Sequence, residues 1–430
     1  MNESRAPHGA AAVFRVVTGN FLEMYDFMVY GFYATAIGHA FFPSDNAFAS
    51  LMLSLATFGA GFLMRPIGAL VLGGYIDRHG RRKGLILTLG LMSAGVLLIA
   101  FVPGYAAIGV LAPVLVLVGR LLQGFSAGAE LGGVSVYLAE IARPGQRGFY
   151  VAWQSASQQV AVVFAAALGV VLHSLFADAL MDRWGWRIPF FVGSLIVPLI
   201  FMIRRSLEET AQFGARKAPD TRQILRSLRA NAGLILAGVG MVMMTTVSFY
   251  LITAYMPTYG CAVLQLGELE SLLVTGCIGL SNFVWLPVMG ALSDRVGRKP
   301  LLVVASLATL LTVWPALQWL VAAPSFARLL LVGEWLSLLY GTYNGAMVVA
   351  LTELMPTDVR TTGFSLAYSV ATATMGGFTP AMCTWLIHAT GSRAAPALWL
   401  GVAALIGLGC TLALFRRGDP ASTFGPQQPS

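Results

Sequence analysis

Twelve apolar runs, each long enough to cross a lipid bilayer as a helix, constrain this chain more than any other feature. A crossing helix needs about 20 largely apolar residues, because the hydrocarbon core is about 30 Å thick and each residue rises about 1.5 Å. The runs fall at 13–41, 48–73, 84–103, 108–139, 148–175, 187–204, 232–258, 269–292, 300–321, 327–350, 361–389 and 396–415, numbered here as spans 1 to 12. In lipid every backbone N–H must find its acceptor within the segment, so such runs form helices. Only 11% of the 430 residues are charged, where a soluble domain carries about 25%. Such a chain cannot dress a water-facing surface. The expected fold is an all-α polytopic membrane protein with the lipid bilayer as its main partner.

The cations set the expected topology. Of 27 Lys and Arg, only Arg65 and Arg120 lie well inside spans. Arg183, Arg187, Arg328 and Arg393 fall in the loops of one side, and the remaining 21 in the termini and the loops of the other. Positive loops stay in the cytoplasm, which places both termini there. The same distribution accounts for the net charge of +8 without nucleic acid. Cys261, Cys277, Cys383 and Cys410 stand singly, with no metal or redox spacing, and read as small apolar fillers. No cofactor and no metal are expected.

The chain also repeats itself. GGYIDRHGRRK at Gly73–Lys83 has a weaker copy, GALSDRVGRK, at Gly290–Lys299. Asp77 and Asp294 are 217 residues apart, and the pairs Glu140/Arg147 and Glu353/Arg360 share an offset of 213. Two independent echoes at nearly one offset argue for a duplicated unit. The expected domains are a six-helix bundle over 1–204, a polar cytoplasmic linker over 205–231, a second six-helix bundle over 232–416, and a Pro-, Gly- and Ser-rich disordered tail over 417–430. Gly73 permits a tight turn, and Asp77 can pair with a cation or a helix N-terminus in one state only. Gly73, Asp77 and Arg81, with Asp294 and Arg298 in the copy, form the expected conformational gate. The cations there serve equally well as topology signals.

Ionisable residues at lipid depth are costly and each needs a reason. The first half has Glu23 and Asp26 in span 1, Arg65 in span 2, and Arg120 and Glu130 in span 4; the second half has Glu334 in span 10. Counted along the helices, Asp26 and Arg120 lie about 22 and 18 Å below one face. From the other face Arg65 stands about 18 Å above Asp77, and Glu130 about 15 Å above Glu140. The expected pairs are therefore Asp26–Arg120 and Arg65–Glu130. An acid beside a cation stays ionised, and takes a proton if that cation turns to another anion. Asp26 is thus the expected proton carrier, with Glu23 one turn away and Arg120 as the exchangeable partner. A static buried ion pair is the competing reading. The stripe Gly124, Gly128, Gly132 in span 4 marks close helix packing.

The motifs together resemble the major facilitator superfamily: twelve spans in two halves, with G-x-x-x-D-R-x-G-R-[RK] after spans 2 and 8. GNFLEMYDFMVYGFYAT (Gly19–Thr35), FLMRPIGALVLGGYIDRHGRRK (Phe62–Lys83), GRLLQGFSAGAELGGVSVYLAEIA (Gly119–Ala142), WQSASQQVA (Trp153–Ala161) and WGWRIPFF (Trp184–Phe191) are similar to the metabolite–proton symporter branch. Within it they resemble citrate–proton symporters and tricarballylate carriers. SNFVWLP (Ser281–Pro287), YNGAMVVALTELMP (Tyr343–Pro356) and VRTTGFSLAYS (Val359–Ser369) continue the match. The resemblance implies proton-coupled import of citrate or a related tricarboxylate by a monomer in the cytoplasmic (inner) membrane, with the substrate between two rocking halves. Three carboxylates then need cations and donors. Arg120 and Arg65 supply charge, Gln154 and Gln158 share a face of span 5, and Tyr250, Asn282, Tyr343 and Asn344 offer the opposite wall. Such polar residues can equally well bridge neighbouring helices.

Other classes fit less well. Span 5 lacks the proline and glycine pattern of proton-driven drug exporters. A membrane enzyme would need a nucleophile–base set or a metal cluster, and the sequence offers neither. A sensor would add a soluble signalling domain, and none is seen.

Overall fold

The computed structural model describes residues 20–79, 81–128, 131–205, 221–356 and 360–415, and these contain helices and turns but no strand. The expected tail and residues 206–220 of the expected linker lie outside them. Within the linker, Thr221–Ala230 is a short helix whose Leu228 packs beside Ile235.

Six stretches are on their own long and apolar enough to cross a membrane: Ala47–Leu72, Arg147–Leu175, Ala232–Ile252, Glu268–Val296, Arg298–Ala322 and Pro396–Leu414. Several expected spans, some of these included, are interrupted rather than continuous. Span 1 runs as Asn20–Phe32 and Ala34–Phe41 with a turn at Tyr33. Span 2 is Ala47–Leu63 and Arg65–His79, joined at Met64. Span 4 is Leu111–Ala127 and Leu131–Ile141. Span 3 is Arg81–Phe101, span 6 Ile188–Arg205, and span 10 Phe326–Leu354. Span 7 continues past Ile252 through Met256–Thr258 into a π-helical turn, Tyr259–Val263. Span 11 is Arg360–Ala371, a second π-helical turn at Thr372–Gly376, and Thr379–Thr390. Turns inside spanning helices are tolerated where protein, not lipid, surrounds them.

The molecule is apolar outside and charged within. Leu195, Leu236 and Leu311 are 76, 70 and 74% exposed, while Arg120 is wholly buried. Lipid is the solvent that suits such a surface.

Glycines bring the rods close. A Cβ at Gly124 would collide with the Gly61 carbonyl, and one at Gly128 with the Arg65 carbonyl. Spans 2 and 4 therefore touch backbone to backbone, which carries Arg65 and Arg120 into one neighbourhood. Span 5 lies along span 8, where Gly148 faces Gly290. The upper part of span 2 meets span 11 through Gly59 and Phe378. Span 1 meets span 7 where Gly31 faces the Ala254 carbonyl. Replacing Gly124 with Leu should cost at least about 1–3 kcal/mol of packing. It should lower the thermal midpoint of the purified protein in detergent, with Gly124→Ala intermediate. A midpoint unchanged in both variants would show that spans 2 and 4 do not need this contact.

Candidate functional site

Glu23, Asp26, Phe27 and Tyr30 follow the i, i+3, i+4, i+7 rule, so span 1 presents them on one buried face. Phe58, Phe62 and Arg65 form a matching stripe on span 2, and Arg120 and Gln123 stand one turn apart on span 4. Arg65 Nη2 donates to Glu23 Oε1 at 2.6 Å. Arg120 Nη1 donates to Gln123 Oε1 at 2.7 Å and reaches Asp26 Oδ2 only at 3.4 Å. The first arginine is firmly held by an acid, whereas the second leans on a neutral amide.

Aromatic rings enclose both cations. The Phe27 ring lies 5.0 Å from the Arg65 guanidinium carbon and 4.5 Å from that of Arg120. Phe62 covers Arg65 at 4.7 Å, and Tyr30 and Phe58 cover Arg120 at 4.7 and 5.1 Å. Ring faces stabilise cations that have lost their water. From the second half, Tyr250 packs on Phe58 and Phe62 at 6.0 and 5.2 Å, so the cluster sits where the halves meet.

Hydrogen-bonding capacity there is unspent. Arg120 Nε and Nη2, Arg65 Nε, Asp26 Oδ1, Gln123 Nε2 and Gln154 Nε2 are buried without a partner, as are both ends of the Asn344 amide. Each idle buried polar group costs about 1–3 kcal/mol, more if charged. A ligand with several oxygens would use them.

The expected pairing of Asp26 with Arg120 is present at 3.4 Å. Arg65 pairs with Glu23, and Glu130 lies outside the described residues. Glu23 is therefore engaged by its own cation, not free beside Asp26. Gln154 and Gln158 are buried on span 5, and Gln154 Oε1 accepts from Ser155 Oγ at 2.9 Å. Asn282 is spent on helix packing. Its Nδ2 donates to Gln159 Oε1 at 3.3 Å and its Oδ1 accepts from Ser337 Oγ at 2.7 Å, stitching spans 5, 8 and 10. Tyr343 likewise turns away, donating to the Met241 carbonyl at 3.1 Å beside Gly407 of span 12. Glu334 is partly buried on span 10. Sequence reasoning missed Gln123 and the rings. The i+3 spacing of Gln123 from Arg120 was the available signal.

The expected gate is visible in its second copy. Asp294 at the end of span 8 accepts from the Gly148 N–H at 2.8 Å and the Phe149 N–H at 3.0 Å, capping span 5 of the other half. Arg298 holds Asp294 at 2.8 Å and forks onto Glu353 at 3.1 and 3.3 Å. The carboxylate thus joins a helix N-terminus and a cation, both favourable for an anion. The side chains of Gly73, Asp77 and Arg81 lie outside the described residues.

At the opposite end a shallow vestibule is lined by Phe32, Tyr33, His173, Asp182, Thr258 and Glu268, among others. Beside it Gly31 packs on Ala254, and Thr258 Oγ1 donates to the Gly31 carbonyl at 3.5 Å. His173 Nδ1 lies 3.1 Å from Glu268 Oε2 across the halves. Asp26 is six residues below Phe32, about 9 Å deeper. The halves therefore touch both above and below the paired charges.

The Major Facilitator Superfamily model matches residues 16–380. The citrate-proton symporter of Salmonella typhi is 59% identical over 94% of this chain and 94% of its own. The citrate-proton symporter of Klebsiella pneumoniae is 59% identical over 95% of this chain and 93% of its own. Among solved structures, a D-xylose-proton symporter superposes with a TM-score of 0.76 at 20% identity, covering 95% of this chain and 98% of that one, which speaks for the fold alone. With its helical fold, its buried charges and matches of this extent, the chain belongs to the Major Facilitator Superfamily and is a multi-pass membrane transporter, not an enzyme.

Proposed function

We propose that this transporter carries citrate, or a close tricarboxylate, into the cell together with protons, by alternating access across the cytoplasmic membrane. The reading rests on one observation above all. Arg120 has two idle guanidinium nitrogens and only a 3.4 Å contact with Asp26. A substrate carboxylate can take the fork of Arg120 in both hands, as protein carboxylates do. Once Arg120 turns to the substrate, Asp26 loses its compensating charge and takes a proton. Substrate and proton then favour each other's binding through one side chain, which is reciprocal coupling. The identity of the citrate-proton symporters over nearly the whole chain supports the substrate assignment.

Arg65 serves as a second cation held ready by Glu23, with Gln154, Gln158, Tyr250 and Asn344 as further contacts. Both termini and the Asp294 latch face the cytoplasm, the vestibule faces outward, and the protein works as a monomer. The latch closes the inner mouth, and its release opens the site inward. Asp77 plays the matching part in the first half.

Proteoliposomes test the reading. Arg120→Ala should cut labelled citrate uptake at least about thirtyfold, and Arg120→Lys by about tenfold, since lysine keeps the charge and loses the fork. Near-normal uptake by a normally inserted Arg120→Ala protein would remove Arg120 from the site.

Asp26→Asn should abolish accumulation driven by an inward proton gradient while sparing citrate exchange. Uptake by the unaltered protein should rise as the outer pH falls, because the acid loads Asp26 outside and the more alkaline interior unloads it. An Asp26→Asn protein that still answers the gradient would defeat this coupling role.

Asp294→Asn should loosen the latch. A cysteine placed at Ala152, which packs on Gly290, should react with a water-soluble maleimide several-fold faster when Asp294→Asn is also present. Equal rates would show that the cap does not hold the inner mouth.

A further inference from the structure

Asn344 is 1% exposed, and neither end of its amide has a partner. Among the described residues no other buried amide is idle at both ends. Since both ends are idle, the choice of which is oxygen and which nitrogen does not matter here. Its neighbours are committed elsewhere: Tyr343 turns to Met241 and Gly407, and Gly345 packs on Leu286 and Gly290. Asn344 points between them. It shares a face of span 10 with Tyr340, one turn away, whose ring lies 5.8 Å from Phe249. Phe249 in turn packs on Tyr250, the residue that covers the rings around the two arginines. The face of Asn344 is therefore the face of span 10 that looks toward the charged cluster.

The chemistry of the idle groups is uneven. Arg65, Arg120, Gln123 and Gln154 offer N–H donors, which suit carboxylates. A carboxylate only accepts, so it cannot satisfy an idle carbonyl oxygen. A hydroxyl both donates and accepts, and an amide idle at both ends is its complement. Among the described residues Asp26 Oδ1 is the other free acid or amide acceptor of the cluster, and it is reserved for the proton. Resting on the tricarboxylate reading above, we propose that Asn344 binds the hydroxyl of a hydroxy-tricarboxylate and so separates citrate from tricarballylate, which has the same three carboxylates and no hydroxyl. A site that has stripped its polar groups of water rejects a ligand that leaves them unpaired.

The test is gradient-driven uptake of both acids into proteoliposomes, read as the ratio of their kcat/KM values. The unaltered protein should favour citrate by about tenfold or more. Asn344→Leu, which keeps the branched shape and removes the amide, should bring the ratio down toward one. Asn344→Ser, which keeps one donor and one acceptor on a shorter arm, should retain part of the preference. Should Asn344→Leu prove inactive toward both acids, the ratio of their dissociation constants from the purified variants replaces the uptake ratio. A ratio unmoved in Asn344→Leu, or equal in the Leu and Ser variants, overturns the hydroxyl assignment and leaves tricarboxylate transport standing. An unaltered protein that takes up neither acid overturns both.

Discussion

The guanidinium of Arg120 lies at lipid depth with more donors than partners, and much of the first half is arranged to let that persist. Three rings and a neutral amide enclose it without neutralising it. An arginine fully paired in the resting protein would gain little from a ligand. One left bare would draw water or distort the bilayer. The rings stabilise the charge through their faces without supplying an anionic partner. The binding capacity of the cation is therefore kept intact until an oxygen-rich guest arrives.

Backbone detail makes this possible. Span 2 is broken at Met64, next to Arg65, and the glycine contacts bring spans 2 and 4 together without side chains between them. The second half answers differently. Its polar groups at Asn282 and Tyr343 are consumed by neighbouring helices, which stiffens that bundle, while Asn344 stays open. The charge therefore sits in one bundle, and the other supplies a rigid wall with a neutral contact. The contacts between spans 5 and 8 and between spans 2 and 11 join the two.

Much of this could be read from the chain itself. The spans are legible because lipid demands long apolar runs, and the cation asymmetry follows the same logic. The Asp26–Arg120 pair was legible because depth along a helix can be counted. The partner of Arg65 was not, because counting gives depth but no azimuth. Counting matched its level with Glu130, and only packing shows that Arg65 reaches Glu23 of span 1. Asn282 and Asn344 look alike in sequence, yet one is satisfied by Gln159 and Ser337 and the other by nothing. That difference depends on residues more than fifty positions away. The capping of span 5 by Asp294 was half legible: the motif named the acid, and the fold supplied the helix end.

One ring has a consequence of its own. Phe27 lies close to the guanidinium of both Arg65 and Arg120. Two guanidiniums approach this one ring, so displacement of either cation alters the field felt by the other. The tightly held Arg65–Glu23 pair is for that reason no bystander to events at Arg120. A movement at one acid of span 1 is thereby felt at the next beside a hydrocarbon ring that neither takes nor gives up a proton.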